Sequence, residues 1–211
     1  MAKPPRRLIL FVKAPRYGAV KTRLARDVGR LAAWTFYRRA LERLVRRLGR
    51  DRRWQTWLAV TPDRARRGFR PRPRGTTVIG QGRGNLGQRM ARAFACVPPG
   101  ATVLIGADIP GIKPAHIALA FRRLASHDAV FGPAADGGYW LVGFREPPPA
   151  DVFGNVRWSG PHALADTLAN LRGANLRGAN PTRFKVAPML PVLEDVDDGA
   201  ALARAATSGV P

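Results

Sequence analysis

The stretch Val103–Gly111, with the sequence VLIGADIPG, decides the fold of this chain. Its first three residues are apolar and mostly β-branched, which predicts a strand buried on both faces of an α/β sheet. Gly106 and Ala107 leave little side-chain bulk after this strand. Asp108 is therefore expected at the carboxyl edge of the sheet, where open α/β sheets bind their ligands. The Pro-Gly pair that closes the stretch turns the chain towards a new helix.

Asp108 has two possible roles at this edge. A carboxylate there suits Mg²⁺ or Mn²⁺, which takes one or two carboxylates and completes its coordination with phosphate oxygens. Alternatively, Asp108 only forms the turn that follows the strand, as Asp often does. The stretch by itself leaves both interpretations open.

The charge balance is strongly basic. The 211 residues are enough for one domain, 1–211, with a sizeable core, and they carry a net charge of +22. Such a charge suggests phosphate-bearing or other anionic partners. However, 31 of the 36 basic residues are Arg, and most are scattered, apart from runs over 38–53 and 64–74. Without interleaved aromatic residues or a nucleic-acid-binding module, they indicate a solvated surface and no specific nucleic-acid partner.

Acidic residues are scarce, which makes their positions informative. There are only 14, and none lies between Arg64 and Ala107. Four of them fall together near the end of the sequence, at Glu194, Asp195, Asp197 and Asp198. This cluster could cap the short Ala-rich helix that follows it.

The cellular compartment is predicted from three features: membrane spans, signal peptides and cysteines. No apolar run approaches the ~20 residues of a membrane span. The apolar segment Leu8–Val12 is too short for a signal peptide. Cys96 is the single cysteine, so no intramolecular disulfide can form, and its apolar helical context predicts a small core residue. We expect a cytoplasmic protein with no membrane span.

The N-terminal part begins with a strand over Arg7–Val12 and a loop over Lys13–Arg23. The loop carries four cations directly after a first strand, which favours an anion-binding site, although a solvated loop is the alternative. Beyond it, apolar residues at three- and four-residue steps predict one helix over 24–48. Further strands are predicted over 54–60, 76–80, 128–131 and 184–190, and a further helix over 114–125.

A glycine-rich segment follows the predicted strand 76–80. Gly82, Gly84 and Gly87 form a GxGxxG pattern before a helix that runs to about Val97, and Asp108 lies 21 residues after Gly87. This matches the dinucleotide-binding fingerprint. However, the glycines follow the third strand and not the first. A helix start close to any phosphate or sugar explains the same residues, and an NAD-binding Rossmann fold is the minor alternative.

Two later turns are also candidates for the site. Asp136-Gly137-Gly138 is a turn between two apolar strands, and Asp136 could at the same time face the cleft of Asp108. Trp158-Ser159-Gly160-Pro161 predicts a helix start with Ser159 as N-cap. That helix runs into two identical copies of NLRGA, 170–174 and 175–179, which we interpret as an inserted surface loop.

Several stretches together resemble a known family, the small GT-A-like transferases known as radical-SAM/selenodomain-associated or arsenosugar-biosynthesis glycosyltransferases. These are related to the molybdenum-cofactor and phospholactate guanylyltransferases. The resemblance spans nearly the whole chain in order. The stretches that carry it are Lys13 with GAVKTRL at 18–24, QGRGNLGQRM at 81–90, GADIPG at 106–111, GPAADGGYW at 132–140, Trp158-Ser159 and Asp195-Val196-Asp197.

The resemblance implies an α/β, single-domain GT-A-like fold with a mostly parallel sheet flanked by helices. It also implies a metal held by Asp108 together with Asp195 or Asp197. The usual Asp-Val-Asp-Thr-Pro-Glu-Asp-Leu pattern is broken here after Asp197, which leaves the second ligand open. We expect the nucleotide and its diphosphate to contact Lys13, Lys21, Arg23, Gly82, Gly84 and Arg89. We expect Asp136 to be the catalytic residue, with Gly137, Gly138, Trp158 and Ser159 on the acceptor side.

The predicted function is a transferase that depends on Mg²⁺ or Mn²⁺ and moves a glycosyl group from a nucleotide-diphospho-sugar to a small-molecule acceptor. The alternative is nucleotidyl transfer, with an NTP as donor and pyrophosphate released. A basic nucleic-acid-binding protein and an NAD-binding protein are further alternatives. The donor base, the sugar, the acceptor, the stereochemical course and the oligomeric state are not indicated by the sequence.

Overall fold

Six strands form one sheet. They are β1 (Arg7–Lys13), β2 (Gln55–Thr61), β3 (Thr77–Gly80), β4 (Thr102–Gly106), β5 (Ala129–Pro133) and β6 (Tyr139–Phe144). Their order across the sheet is β3-β2-β1-β4-β6-β5. β1 to β4 run parallel, while β6 runs antiparallel to both β4 and β5. The structure is a computed structural model, and it describes residues 5–177 and 184–207.

In the part of the chain that the structure describes, six α-helices accompany the sheet. They are α1 (Leu24–Val28), α2 (Arg30–Gly49), α3 (Leu86–Ala95), α4 (Pro114–Arg123), α5 (Ala163–Arg177) and α6 (Gly199–Thr207). The prediction of one helix over 24–48 is wrong, because Gly29 separates α1 from α2. Its φ of 84° lies in the left-handed region that glycine enters without steric cost.

The sheet is covered on both faces, and alternate residues of each central strand point to opposite faces. In β1, Leu8, Leu10 and Val12 belong to the core cluster beneath α2 and α4, and Ile9 belongs to the cluster beneath α3 and α5. β4 is divided in the same way. The prediction that Val103–Ile105 is a strand buried on both faces is therefore confirmed.

The chain changes direction across the sheet between β1 and β4. From β1 it moves outward through β2 and β3, and it then returns to place β4 on the other side of β1. α2 and α3, which make these two connections, pack on opposite faces of the sheet. Such a switch point opens a crevice at the carboxyl ends of the two strands, where α/β folds bind ligands.

Three local predictions in the second half are wrong. Ser159 is not an N-cap, since α5 begins at Ala163 and Ser159 has a φ of 64°. The first NLRGA copy, 170–174, continues α5 and is not a loop, because Ala, Leu and Arg favour helix. The second copy stays helical to Arg177, and its remainder lies outside the described residues. The predicted strand 184–190 forms only an isolated bridge, from Val186 to Ala129.

Two further expectations concern exposure and membranes. Cys96 is exposed and not in the core, because it is the C-cap residue of α3 rather than part of its apolar face. Within residues 5–177 and 184–207, the helices are too short or too polar for a transmembrane segment.

Gly143 in β6 lies where the sheet has no room for a side chain. A Cβ there would lie 2.9 Å from Val103 Cγ2 and 3.0 Å from Val130 Cγ1. We expect Gly143→Ala to lower the free energy of unfolding by about 1–3 kcal/mol. Gly173→Ala in α5 is the matched control. No described atom lies within 4 Å of its added Cβ, so helix propensity should stabilise it by about 0.5–1 kcal/mol. Urea unfolding measures both, and equal stability of Gly143→Ala and the parent would contradict this packing.

Candidate active site

A cavity of about 590 Å³ lies at the switch point, between the carboxyl ends of β1 and β4. Most of the residues predicted for the site line it. They are Lys13, Lys21, Arg23, Asp108, Asp136, Gly138, Trp158, Ser159, Asp195 and Asp197. The fold thus brings together residues from the first loop, the end of β4, the β5–β6 turn and the C-terminal segment.

The first loop is held in place by two side chains of α2. The Tyr37 hydroxyl donates a hydrogen bond to the carbonyl of Lys13 at 2.8 Å, and Trp34 Nε1 donates to the carbonyl of Pro15 at 2.7 Å. Burial, helped by the charge of Asp108, raises the pKa of Tyr37, so its hydroxyl stays protonated as a donor. The sequence did not reveal this cavity-lining role, because Tyr37 shares the helical spacing of the α2 core residues.

Lys21 contacts two of the acidic residues that line the cavity, Asp197 and Asp108. Its side chain is only 6% exposed, and its Nζ donates to Asp197 Oδ1 at 2.6 Å. The same Nζ lies 3.7 Å from Asp108 Oδ2. The backbone of Lys21 has a φ of 46°, a left-handed conformation that non-glycine residues seldom adopt and that often occurs at functional sites.

The C-terminal segment, residues 193–198, reaches the cavity by running beside β5. The backbone N–H of Leu193 donates to the carbonyl of Pro133 at 3.2 Å. Val196 is then buried in a small apolar cluster. Its neighbours on either side, Asp195 and Asp197, line the cavity.

The four acidic residues of this segment have different roles. The Glu194 carboxylate forms an exposed ion pair with Arg204 at 3.0 Å. Asp198 Oδ1 accepts a hydrogen bond from the Ala201 backbone N–H at 2.7 Å, so Asp198 caps α6. The capping interpretation therefore holds for Asp198, while Asp195 and Asp197 are left facing the cavity.

Asp195 and Asp197 influence each other's ionisation. Burial, together with the negative charge of Asp197, raises the pKa of Asp195 to about 6. Burial is also the largest single influence on Asp197 and opposes its ionisation. The hydrogen bond and charge of Lys21, joined by Asp195 and Arg23, nevertheless bring the pKa of Asp197 below its usual value. Negative charge is thus concentrated here and depends on Lys21 for compensation.

The donor chemistry of this cluster fits a hard divalent cation. Asp108, Asp195 and Asp197 offer carboxylate oxygens, the ligand type that Mg²⁺ takes in proteins. The Lys21 ammonium, held between Asp197 and Asp108, is a cation already at this position. Among the described residues, no three potential metal ligands are close enough to hold an ion as they stand. A metal would therefore require the carboxylates and Lys21 to rearrange.

The β5–β6 turn forms the opposite wall. Asp136 Oδ1 accepts a hydrogen bond from the Gly138 backbone N–H at 2.9 Å, so Asp136 shapes the turn. Its exposed carboxylate also lines the cavity, and the two predicted roles coexist. Trp158 packs edge-on against Tyr139 with ring centroids 6.3 Å apart. Tyr139, a second cavity residue that the sequence did not reveal, holds Trp158 at the rim.

Gly82 and Gly84 do not line this cavity. Their φ values of 73° and 109° shape a loop that is held by protein contacts. Asp63 Oδ1 accepts from the Gly82 backbone N–H at 3.0 Å, and Arg92 donates to the carbonyl of Gln81 at 2.7 Å. Nucleotide contact by these glycines stays a prediction.

Arg89 is also outside the cavity lining. It donates to the Gln81 side chain, and its guanidinium carbon lies 5.6 Å from the centroid of the Phe11 ring. Phe11 in turn lines the cavity, so Arg89 supports the wall from behind. Gly87, the third glycine of the pattern, packs against neighbouring chain: a Cβ there would lie 2.4 Å from the Phe153 carbonyl oxygen.

Comparison with known proteins places the chain in a family. Residues 44–160 match the profile of the family described as "Uncharacterized protein conserved in bacteria (DUF2064)". The chain belongs to this family. No curated protein matches its sequence significantly.

One solved structure is similar to this DUF2064 chain in sequence as well as in fold. A proposed nucleotide-diphospho-sugar transferase from Desulfovibrio desulfuricans G20 is 30% identical, with a TM-score of 0.77 over 92% of this chain and 82% of its own. The GT-A-like fold, a mostly parallel sheet flanked by helices, is thereby confirmed. Membership of the radical-SAM or arsenosugar group in particular stays a prediction.

Two more distant structures share the fold alone. Rv0371c from Mycobacterium tuberculosis H37Rv, solved in complex with manganese, is 18% identical, with a TM-score of 0.54 over 96% of this chain and 98% of its own. Molybdopterin-guanine dinucleotide biosynthesis protein A from Archaeoglobus fulgidus is 17% identical, with a TM-score of 0.52 over 95% and 96%. Both chains are covered almost completely, so the likeness extends over the whole domain.

Gly137 joins the β5–β6 turn to the segment that carries Ser159. Its φ is 83°, and a Cβ would lie 2.4 Å from the Pro161 carbonyl oxygen. We expect Gly137→Ala to destabilise the protein by about 1–3 kcal/mol more than Gly75→Ala. Gly75 has a similar φ of 77° but no described atom within 4 Å of an added Cβ, so it reports the conformational cost alone. Thermal and urea unfolding of both variants provide the measurement. Equal losses would mean that the turn and Pro161 are not in contact.

Proposed function

We propose that this protein is a metal-dependent transferase that uses a nucleotide-activated donor and moves a glycosyl group from a nucleotide-diphospho-sugar to a small acceptor. The observation that carries the proposal is the charge arrangement at the switch point. Lys13, Lys21 and Arg23 of the first loop line the cavity together with the carboxylates of Asp108, Asp195 and Asp197, and the Lys21 ammonium lies between Asp197 and Asp108. The 30% identity to the Desulfovibrio protein, itself a proposed nucleotide-diphospho-sugar transferase, supports it.

The first loop supplies the diphosphate contacts in this proposal. Lys13, Lys21 and Arg23 line the cavity within one short segment after β1. Hydrogen bonds from Lys or Arg to phosphate oxygens are charge-assisted and stronger than neutral ones. The hydrogen bonds from Tyr37 and Trp34 hold the loop in place before a ligand binds. Binding would therefore cost little conformational entropy in this loop.

Asp108, with Asp195 or Asp197, would hold the divalent cation. When bound, Mg²⁺ or Mn²⁺ supplies positive charge that stabilises the diphosphate as a leaving group. The manganese complex of the distant neighbour Rv0371c supports a metal in this fold.

Asp136 would act on the acceptor. Its carboxylate is exposed to the cavity, and its turn is fixed by the Gly138 hydrogen bond. It could accept a proton from an attacking hydroxyl as a general base. Trp158 and Ser159, on the adjoining wall, would position that acceptor.

Nucleotidyl transfer is the second candidate, since its site would need the same cations and carboxylates. The likeness in fold to molybdopterin-guanine dinucleotide biosynthesis protein A supports nucleotidyl transfer as the second candidate. The two reactions differ in their products. Release of a nucleoside diphosphate from a nucleotide sugar identifies glycosyl transfer, whereas release of pyrophosphate from an NTP identifies nucleotidyl transfer.

We expect a panel of nucleotides to stabilise the protein in a metal-dependent way. Nucleoside diphosphates, nucleotide sugars, NTPs and NAD are compared with and without Mn²⁺. A ligand at about 100 times its dissociation constant adds about 2.7 kcal/mol to the free energy of unfolding. That corresponds to a rise of roughly 5–10 °C in the melting temperature. If only NAD stabilises the protein, and without metal, the protein binds a dinucleotide and this proposal is wrong.

Asp108→Asn separates a metal ligand from a turn former. Asn preserves the turn, so we expect a loss of only ~1 kcal/mol in stability. Its neutral oxygen replaces the carboxylate that Mg²⁺ prefers, so nucleotide binding should no longer respond to Mn²⁺. The control is Asp136→Asn, because Asp136 is also a cavity carboxylate in a turn. This variant should keep the Mn²⁺ response, while its rate of transfer should fall. Calorimetric titration measures both variants. A full Mn²⁺ response in Asp108→Asn would exclude Asp108 as the ligand.

A further inference from the structure

The acidic cluster of the cavity already contains a cation from the protein itself. The Lys21 side chain is almost completely buried, with its ammonium 2.6 Å from Asp197 Oδ1 and 3.7 Å from Asp108 Oδ2. The two carboxylate side chains are about half exposed, at 43% and 49%. Solvent, and any ion dissolved in it, can therefore reach the carboxylates more easily than it can reach Lys21.

A divalent cation and this ammonium would compete for the same oxygens. Asp197 Oδ1 is engaged in a short hydrogen bond with Lys21. Two positive groups that share one carboxylate pair repel each other. The described residues contain no ready-made metal cluster, although two carboxylates contact the ammonium. As long as Lys21 keeps this position, metal binding should be weak.

A diphosphate offers Lys21 another anionic partner. Lys21 lies in the same loop as Lys13 and Arg23, which line the cavity beside it. Its long side chain has several rotatable bonds, so the ammonium can move without a change in the backbone. Phosphate oxygens also complete the coordination of Mg²⁺ or Mn²⁺ when protein carboxylates are few.

We propose that Lys21 is an exchangeable counter-ion of the Asp108–Asp197 pair, which an incoming diphosphate draws away so that the carboxylates become free for a divalent metal. The inference rests on the proposed function, since it assigns the order of events at the same site. Lys21 then couples the two ligands: metal alone binds weakly, and metal and diphosphate strengthen each other. By linkage, the factor by which diphosphate tightens metal binding equals the factor by which metal tightens diphosphate binding.

Lys21→Met tests the exchange directly. Methionine keeps an unbranched side chain and removes the charge, and it adds no new backbone constraint at the φ of 46°. The probes are Mn²⁺ alone, inorganic pyrophosphate alone, and both together, measured by calorimetry and by the electron paramagnetic resonance signal of free Mn²⁺. Lys185→Met is the matched control. It removes the same charge near the start of β5, where the Lys185 backbone contacts Asp128, away from the carboxyl edge of the sheet.

In the parent protein and in Lys185→Met, we expect pyrophosphate to tighten Mn²⁺ binding at least tenfold. In Lys21→Met, we expect Mn²⁺ alone to bind at least tenfold more tightly than in the parent. The coupling factor should fall below that of the parent, to the part that direct coordination of Mn²⁺ by phosphate oxygens supplies. Unchanged or weaker binding of Mn²⁺ alone by a folded Lys21→Met protein overturns the proposal. The proposed function fails separately, if the parent binds no nucleotide in the presence of Mn²⁺.

A second measurement uses the parent protein, so the test does not depend on the variant folding. The chain has only five lysines, and a buried, hydrogen-bonded ammonium gives a slowly exchanging signal in ¹⁵N-lysine NMR. We expect the Lys21 signal to persist with Mg²⁺ alone. It should shift when Mg²⁺ and pyrophosphate are added together. A signal that does not change under the second condition, while pyrophosphate is bound, contradicts the exchange.

Discussion

The order of the strands determines where this protein can have a site. Parallel strands joined by right-handed connections place α2 and α3 on opposite faces of the sheet, since one connection moves away from β1 and the other returns past it. From β1 the chain moves to β2 on one side of the sheet, and from β4 it moves to β5 on the other side. The crevice between their ends is a result of the topology, and the charged residues occupy a space that the backbone has already opened.

The sequence predicts the strands well, because burial on one or both faces leaves a periodic pattern within each strand. It also points to most of the residues that line the cavity: Lys13 ends β1, Lys21 lies in the loop after it, and Asp108 follows β4, whose carboxyl end lies beside that of β1. It is silent where the deciding contact is distant in the chain. Gly82 and Gly84 match a phosphate-binding pattern, and only the structure shows that Asp63 and Arg92 hold their loop.

Other misses have the same origin. Tyr37 has the spacing of a core residue, and only the tertiary structure brings its hydroxyl to the first loop. The split of the four C-terminal acids into an ion pair, a helix cap and two cavity carboxylates also requires the positions of Arg204, α6 and Lys21. Local composition identifies such residues as unusual, but it does not specify their partners.

The Lys21–Asp197 contact joins residues that are 176 positions apart. At a translation rate of about 5–20 residues per second, roughly 9–35 s separate the synthesis of the two residues. During that interval β1 and the first loop can fold while their acidic partner does not yet exist. A nascent chain can therefore display the basic half of the cavity, open to cellular anions, before Asp195 and Asp197 have been made.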